Sequence, residues 1–172
     1  MALTLQEKKE IVSEVAAVAA SAYSAVAAEY RGLTVAQLTT LRQNARKNGV
    51  YLRVVKNNLA KIAVKDTAFE CIQDGLVGPL VLAFSQEDPG SAARLIKDFK
   101  KDKAHDTMEV KFVAIDGQML PASELDRLAK LPTRDQALAT LAAVLRAPLD
   151  KFARTLAALR DQKAEAAGIS LD

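Results

Sequence analysis

At 172 residues, 50% hydrophobic and 26% charged, the chain has the composition of one folded domain with an appendage, and this excludes a disordered or collagen-like protein. A single cysteine, Cys71, and a single histidine, His105, exclude a disulfide framework and any tetrahedral Cys/His zinc site. The net charge is only +3, yet residues 1–65 hold 10 Lys/Arg against 4 Asp/Glu, and residues 30–65 hold eight cations without one carboxylate.

In chain order, Thr4-Leu5-Gln6-Glu7 has the form of a capping box, in which a threonine hydroxyl and a glutamate three residues on satisfy the free amides at a helix start. It predicts a first helix to about residue 19. Lys8 and Lys9 followed by an Ala/Val-rich run could pass for a secretory signal, but Glu7, Glu10 and Glu14 argue against one, and the expectation is a cytosolic protein. No run of about 20 apolar residues is present to span a bilayer. Residues 22–30, before the Arg31-Gly32 turn signal, predict a buried strand. Thr34 to Gln37 is a second capping box and Gly49 a stop, giving a helix over 35–48. Val50, Leu52 and Val54 then alternate with Tyr51, Arg53 and Val55, the pattern of a half-buried strand with Arg53 on its outer face.

A short basic helix over 58–65 and a second over 67–74, opened by a box from Thr67 to Glu70, precede the turn signals Gly75 and Gly78-Pro79. Residues 80–84 predict a strand. Asp88-Pro89 reads as cap and first-turn proline of a helix to about 101, whose Ala92, Leu95, Ile96 and Phe99 share one face. Residues 109–115 predict a strand, Asp116-Gly117 a hairpin turn, and 123–130 a small helix. Thr133 to Gln136 opens a last helix to about residue 167, roughly 50 Å at 1.5 Å per residue and interrupted by Pro148. The expected fold class is α/β, a mixed β-sheet covered by helices, followed by a long projecting C-terminal α-helix. The expected division is 1–131 for the domain, 132–167 for the helical spine and 168–172 for a flexible tail.

The cations of residues 30–65 come from a loop, a helix, a strand and a further short helix. Nucleic-acid phosphates need such a surface, because each neutralised phosphate releases counterions. Only Tyr30 and Tyr51 interleave, too few for a single-strand stacking platform, so a folded RNA read by its backbone shape fits better. The residues alone leave open a surface that is merely basic. In the last helix Leu138, Leu141, Leu145, Leu149, Phe152, Leu156 and Leu159 recur at spacings of three and four, one continuous apolar seam. A weak echo of residues 140–146 in 155–160 hints at two similar docking stations. Folding back onto the domain, or pairing with a second copy, are the alternatives the pattern leaves open. Catalysis has no support: no nucleophile is paired with a base, His105 lies in a charged segment, Gly75-Leu-Val-Gly78 is a GXXG loop only as a string, and no phosphate-binding glycine motif occurs.

Tyr30-Arg-Gly-Leu-Thr34, Arg53-Val-Val-Lys-Asn-Asn-Leu59, Gly78-Pro-Leu-Val-Leu-Ala-Phe-Ser85 and Leu131-Pro-Thr-Arg-Asp135, in this order and spacing, resemble the bacterial ribosomal protein L-ten family across nearly the whole chain. The resemblance implies a non-catalytic constituent of the large ribosomal subunit, cytoplasmic and ribosome-bound, at the base of the stalk. It implies an N-terminal domain on large-subunit rRNA beside a neighbouring stalk-base protein, and a C-terminal helix carrying dimers of the acidic stalk protein, two rather than three on a helix of this length. The assembled stalk would then recruit GTP-bound translation factors. No cofactor, metal, membrane or small-molecule substrate is expected. The candidate RNA contacts are Lys8, Lys9, Arg31, Gly32, Arg42, Arg53, Lys56, Asn57, Asn58 and Lys61, and the seam supplies the partner contacts. Asn58 departs from the threonine expected after Lys-Asn. A repressor role on its own messenger can coexist with this reading, and a free-standing RNA-binding regulator that dimerises through its helix is the alternative.

Overall fold

Threonine opens three of the helices by the same reciprocal device. The Thr4 hydroxyl accepts the Glu7 amide at 3.4 Å while the Glu7 carboxylate accepts the Thr4 amide at 2.7 Å; Thr34 with Gln37 and Thr133 with Gln136 repeat it. The computed structural model describes residues 4–65, 67–101 and 108–166. His105 and the tail expected over 168–172 lie outside the described residues. The chain divides into two units after Leu131. The first holds, in order, α1 (Leu5–Ser21), β1 (Ser24–Glu29), α2 (Val35–Lys47), β2 (Val50–Val54), α3 (Asn57–Val64), β3 (Leu80–Ser85), α4 (Ser91–Lys101), β4 (Glu109–Ile115), β5 (Gln118–Pro121) and α5 (Leu125–Ala129); the second is α6 (Arg134–Ala166).

The α/β class is as the alternation of elements implied, but the sheet is antiparallel throughout rather than mixed. Its order is β2-β3-β1-β4-β5, and β1–β3, β1–β4, β2–β3 and β4–β5 all pair antiparallel. Two β-α-β units interleave. The first, β1-α2-β2, leaves a one-strand gap that β3 fills, and the second, β3-α4-β4, leaves a gap that β1 fills. Strands of one unit therefore never touch, and within these four strands every neighbour comes from the other unit running the opposite way, the split arrangement of ferredoxin-like sheets; β5 adds to the free edge of β4.

Both faces of this sheet are covered. Val26, Ala28, Val81 and Ala83 pack with α2, α4 and α5 on one side; Ala25, Ala27, Leu82 and Phe84 pack with α1, α3 and Phe69 on the other. That is why residues 25–28 of β1 read as an apolar run, and why they are all small: the helices approach the strand from both sides. Each core cluster draws its buried members from residues 15–128, so the first unit has a complete interior of its own. Gly75 belongs to this packing, since a Cβ there would stand 2.7 Å from the Phe112 ring.

Three expectations need correction. The helix over 67–74 is only a 3-10 turn, Glu70–Ile72. The Thr67 hydroxyl donates to the Val64 carbonyl at 2.7 Å and accepts the Phe69 amide, so it caps nothing, and the burial of Phe69 and Ile72 beneath α3 sets the path instead. The helix after Asp88-Pro89 starts two residues late, at Ser91. Ser24 donates its hydroxyl to the Pro89 carbonyl at 2.6 Å, and Gly90 lies so close to the Leu128 carbonyl that a Cβ would meet it at 2.9 Å. Finally, β2 is half-buried as expected, but helices lie over both of its faces. Leu52 joins the α2 side of the core, while Tyr51 and Val55 join the α1 side, which puts Arg53 beneath α1 rather than on an outer face. The Asp116-Gly117 turn forms as expected, both residues at positive φ, and joins β4 to β5.

Candidate nucleic-acid interface

β1 and β2 end, and β3 begins, at the same end of the sheet, because β3 runs against both. α1 and α3 start at that end as well. The chain therefore delivers its entry and exit turns to one place, and between them lies a groove of about 710 Å³ lined by Lys8 of α1, Tyr30, residues 54–59 and residues 78–80. Lys56 stands at the N-cap of α3 without a side-chain cap bond, so the free amides of the helix's first turn sit beside it; such a terminus favours an anion. Asn57 donates its side-chain amide to the Gly78 carbonyl at 3.0 Å, and Tyr30 donates its backbone N–H to the Pro79 carbonyl at 3.3 Å. The first bond ties the turn before β3 to the start of α3, and the second ties it to the chain leaving β1. Gly78 has φ +92° with open space where a Cβ would be, so glycine is required there by the backbone alone.

Of the candidate RNA contacts, Lys8, Lys56, Asn57 and Asn58 line this groove. Arg31 and Gly32 follow β1 at the same end of the sheet. Arg31 is mostly exposed and reaches Glu29 at 3.4 Å; Gly32 has φ +88°. Lys9 is exposed on α1, Arg42 is exposed on α2, and Lys61 is half-buried on α3. Lys8, Lys9, Arg42, Lys56 and Lys61 make no ion pair among the described residues, leaving their charges available. The cation-rich stretch does not form one patch: Lys47 sits at the opposite end of the sheet, beside Glu87, Asp88 and Asp98. Tyr30 and the Gly78-Pro79 wall were not among the candidates. Their one local sign is the turn chemistry of Gly-Pro, which says nothing about what the turn faces.

Arg53 behaves differently from the rest. Its guanidinium forms a hydrogen-bonded ion pair with Glu14 of α1 and donates to the Tyr51 hydroxyl at 3.1 Å, which itself donates to Glu14 at 2.8 Å. The bonds from Arg53 and then Tyr51 hold the Glu14 carboxyl below its ordinary 4.5, and burial, ahead of its polar neighbours, pushes the Tyr51 phenol up. A carboxylate with a depressed folded pKa stabilises the fold above its unfolded pKa and ceases to do so as pH falls through the lower, folded value. The stability advantage of the native chain over Glu14→Gln should accordingly be level near neutrality and shrink to nothing below pH 4.5. Urea unfolding over a pH series measures it; an advantage that persisted undiminished in acid would exclude the pair as its source.

The second candidate surface is α6. At 100° per residue the seven seam residues fall within a wedge of about 80°, and Leu138, Leu141, Leu145, Leu149, Phe152, Leu156 and Leu159 are between 51% and 74% exposed. Pro148 lies inside the helix, where it lacks the N–H that would bond the Val144 carbonyl; Arg146 and Asp150 pair across it at 3.1 Å.

Among the described residues there is no group of three metal-binding side chains, and no helix is long and apolar enough to cross a membrane. Burial raises the Cys71 thiol's pKa, which keeps it protonated and a poor nucleophile.

The profile of Ribosomal protein L10 matches residues 3–101, and that of the Ribosomal protein uL10 C-terminal region matches residues 131–167. Among curated relatives, the Large ribosomal subunit protein uL10 of Thioalkalivibrio sulfidiphilus is 64% identical, covering 95% of this chain and 98% of its own length. Its counterpart in Alcanivorax borkumensis is 58% identical over 97% of this chain and 100% of its own length. That of Methylococcus capsulatus is 58% identical over 95% and 98% respectively.

Proposed function

From the chain's membership of the ribosomal protein L10 family, whose members are structural, non-catalytic constituents of the large ribosomal subunit, we propose that it forms the base of the ribosomal stalk in the cytoplasm. Its first unit binds large-subunit rRNA through the groove end of the sheet. Its last helix carries dimers of an acidic stalk protein, two of them, through the apolar seam, and a neighbouring stalk-base protein sits beside the RNA-bound domain. The stalk so assembled supports recruitment of translation GTPases. Repression of its own messenger uses the same RNA surface.

The observation that carries this reading is the convergence of Lys8, Lys56, Asn57 and Asn58, drawn from two separate stretches of sequence, on one groove with a helix N-terminus in its wall. Unpaired ammonium groups and free amides suit phosphate oxygens, and the asparagine amides suit sugar hydroxyls and base edges. A groove with one tyrosine and no aromatic ladder suits a folded backbone better than stacked single-strand bases.

The chain is expected to sediment from lysate with large-subunit particles, and to leave them as salt rises, with log K falling by roughly 0.7 to 0.9 per phosphate contact per decade of salt. Sucrose-gradient fractions analysed by mass spectrometry read both. Recovery as a small homodimer away from any particle would favour the free-standing regulator.

A further inference from the structure

The groove is lined by Val54, Val55 and Lys56 of the chain leaving β2, but not by Arg53. Arg53 points to the α1 side of the sheet, where Glu14 and Tyr51 occupy its guanidinium. The half of α1 that carries Lys8 lies against α3 through Leu5, Val12, Leu59 and Ile62, but from residue 4 to residue 14 no side chain is fully buried, whereas the following turns insert Val15 and Ala19 into the core. Ile11 and Val12 pack only partly. The Glu14–Arg53–Tyr51 triad is thus the polar tie between the sheet and the exposed half of α1. A helix is stiff, so fixing Glu14 against β2 also fixes Lys8, six residues and fewer than two turns away.

We infer that Arg53 is a positioning residue for RNA binding: clamped by Glu14 and Tyr51, it staples α1 to β2 and so holds Lys8 on the rim of the groove, without itself touching RNA. The inference rests on the groove being the RNA face. It makes Glu14, a carboxylate, a residue that RNA binding requires.

That sign separates the two roles of Arg53. If Arg53 met phosphate directly, Glu14→Gln would free its guanidinium and remove a negative charge, and binding would tighten. If Arg53 acts by positioning, Glu14→Gln weakens binding by about tenfold, Arg53→Gln does the same, and the double variant is no worse than either, because both break one contact. The charge exchange Glu14→Arg with Arg53→Glu, which keeps the net charge and restores an ion pair across the same gap, recovers most of the affinity. Filter binding of the full chain to transcribed large-subunit rRNA reads all four variants, with thermal unfolding to establish that each is folded. Lys56→Glu is the control for the face. If it binds like the native chain, the groove is not the RNA site and the inference falls with it. If Lys56→Glu weakens binding while Glu14→Gln tightens it, or the exchange binds no better than Arg53→Gln, the RNA face stands and the positioning role is overturned. A variant that fails to fold leaves the decision to Glu14→Gln, a near-isosteric change on the exposed side of the pair.

Discussion

Reversing Lys8 and Lys56 together, as Lys8→Glu with Lys56→Glu, is expected to weaken rRNA binding on the order of a hundredfold and to flatten the salt dependence by roughly 1.5 in log K per decade, the share of two phosphate contacts. Both residues line the groove and neither is committed to an ion pair within the fold, so the loss comes from the interface and not from unfolding. Lys47→Glu supplies the comparison. It changes charge in the same cation-rich stretch, but at the far end of the sheet beside Glu87 and Asp88, where a carboxylate adds to an already acidic neighbourhood. It should alter affinity by no more than a few-fold, through the long-range field alone. Filter binding at several salt concentrations tests both. Equal losses from the two variants would mean that net charge, not the groove, drives association, and the assigned RNA face would be wrong.

Removal of residues 132–172 should leave a cooperatively folded, RNA-binding unit that no longer captures stalk protein. The interior supports the first half of this expectation, since both buried clusters lie within residues 15–128. The exposure of the seam supports the second. Burying a leucine side chain is worth roughly 1.5 to 3 kcal/mol, and seven large apolar residues in one narrow stripe form the kind of surface that partner helices cover. Leu156→Asp with Leu159→Asp should remove only the dimer on the far side of Pro148, because the nearer residues Leu138, Leu141 and Leu145 are untouched. Native mass spectrometry of the co-expressed complex counts the partners. A truncated chain with an undiminished partner count would end the docking proposal, and a truncated chain that melted without cooperativity would show that the helix belongs to the domain's core.

What sequence determined about this protein is what neighbours along the chain determine. The three threonine caps at Thr4, Thr34 and Thr133 need only a residue three positions on, so they formed as written. The α4 face of Ala92, Leu95, Ile96 and Phe99 and the α6 seam are periodicities within one helix, and the strand at residues 24–29 shows in the apolar run of residues 25–28. The strings at residues 30–34, 53–59, 78–85 and 131–135, in their order and spacing, were enough to place the chain in its family. Where a local pattern competed with distant packing, packing won: Thr67 spends its hydroxyl on Val64 while Phe69 is drawn under α3, and Pro89 is held by Ser24 across the sheet. Tertiary structure alone decided that the two β-α-β units interleave, because a strand's partner is chosen by the shape of the whole sheet and not by its own alternation. It alone brought residue 8 beside residues 56–58 and 78–79. And it alone turned Arg53 from an exposed cation in a basic run into the clamp on Glu14, since no spacing within residues 50–55 can tell which helix will cross above them.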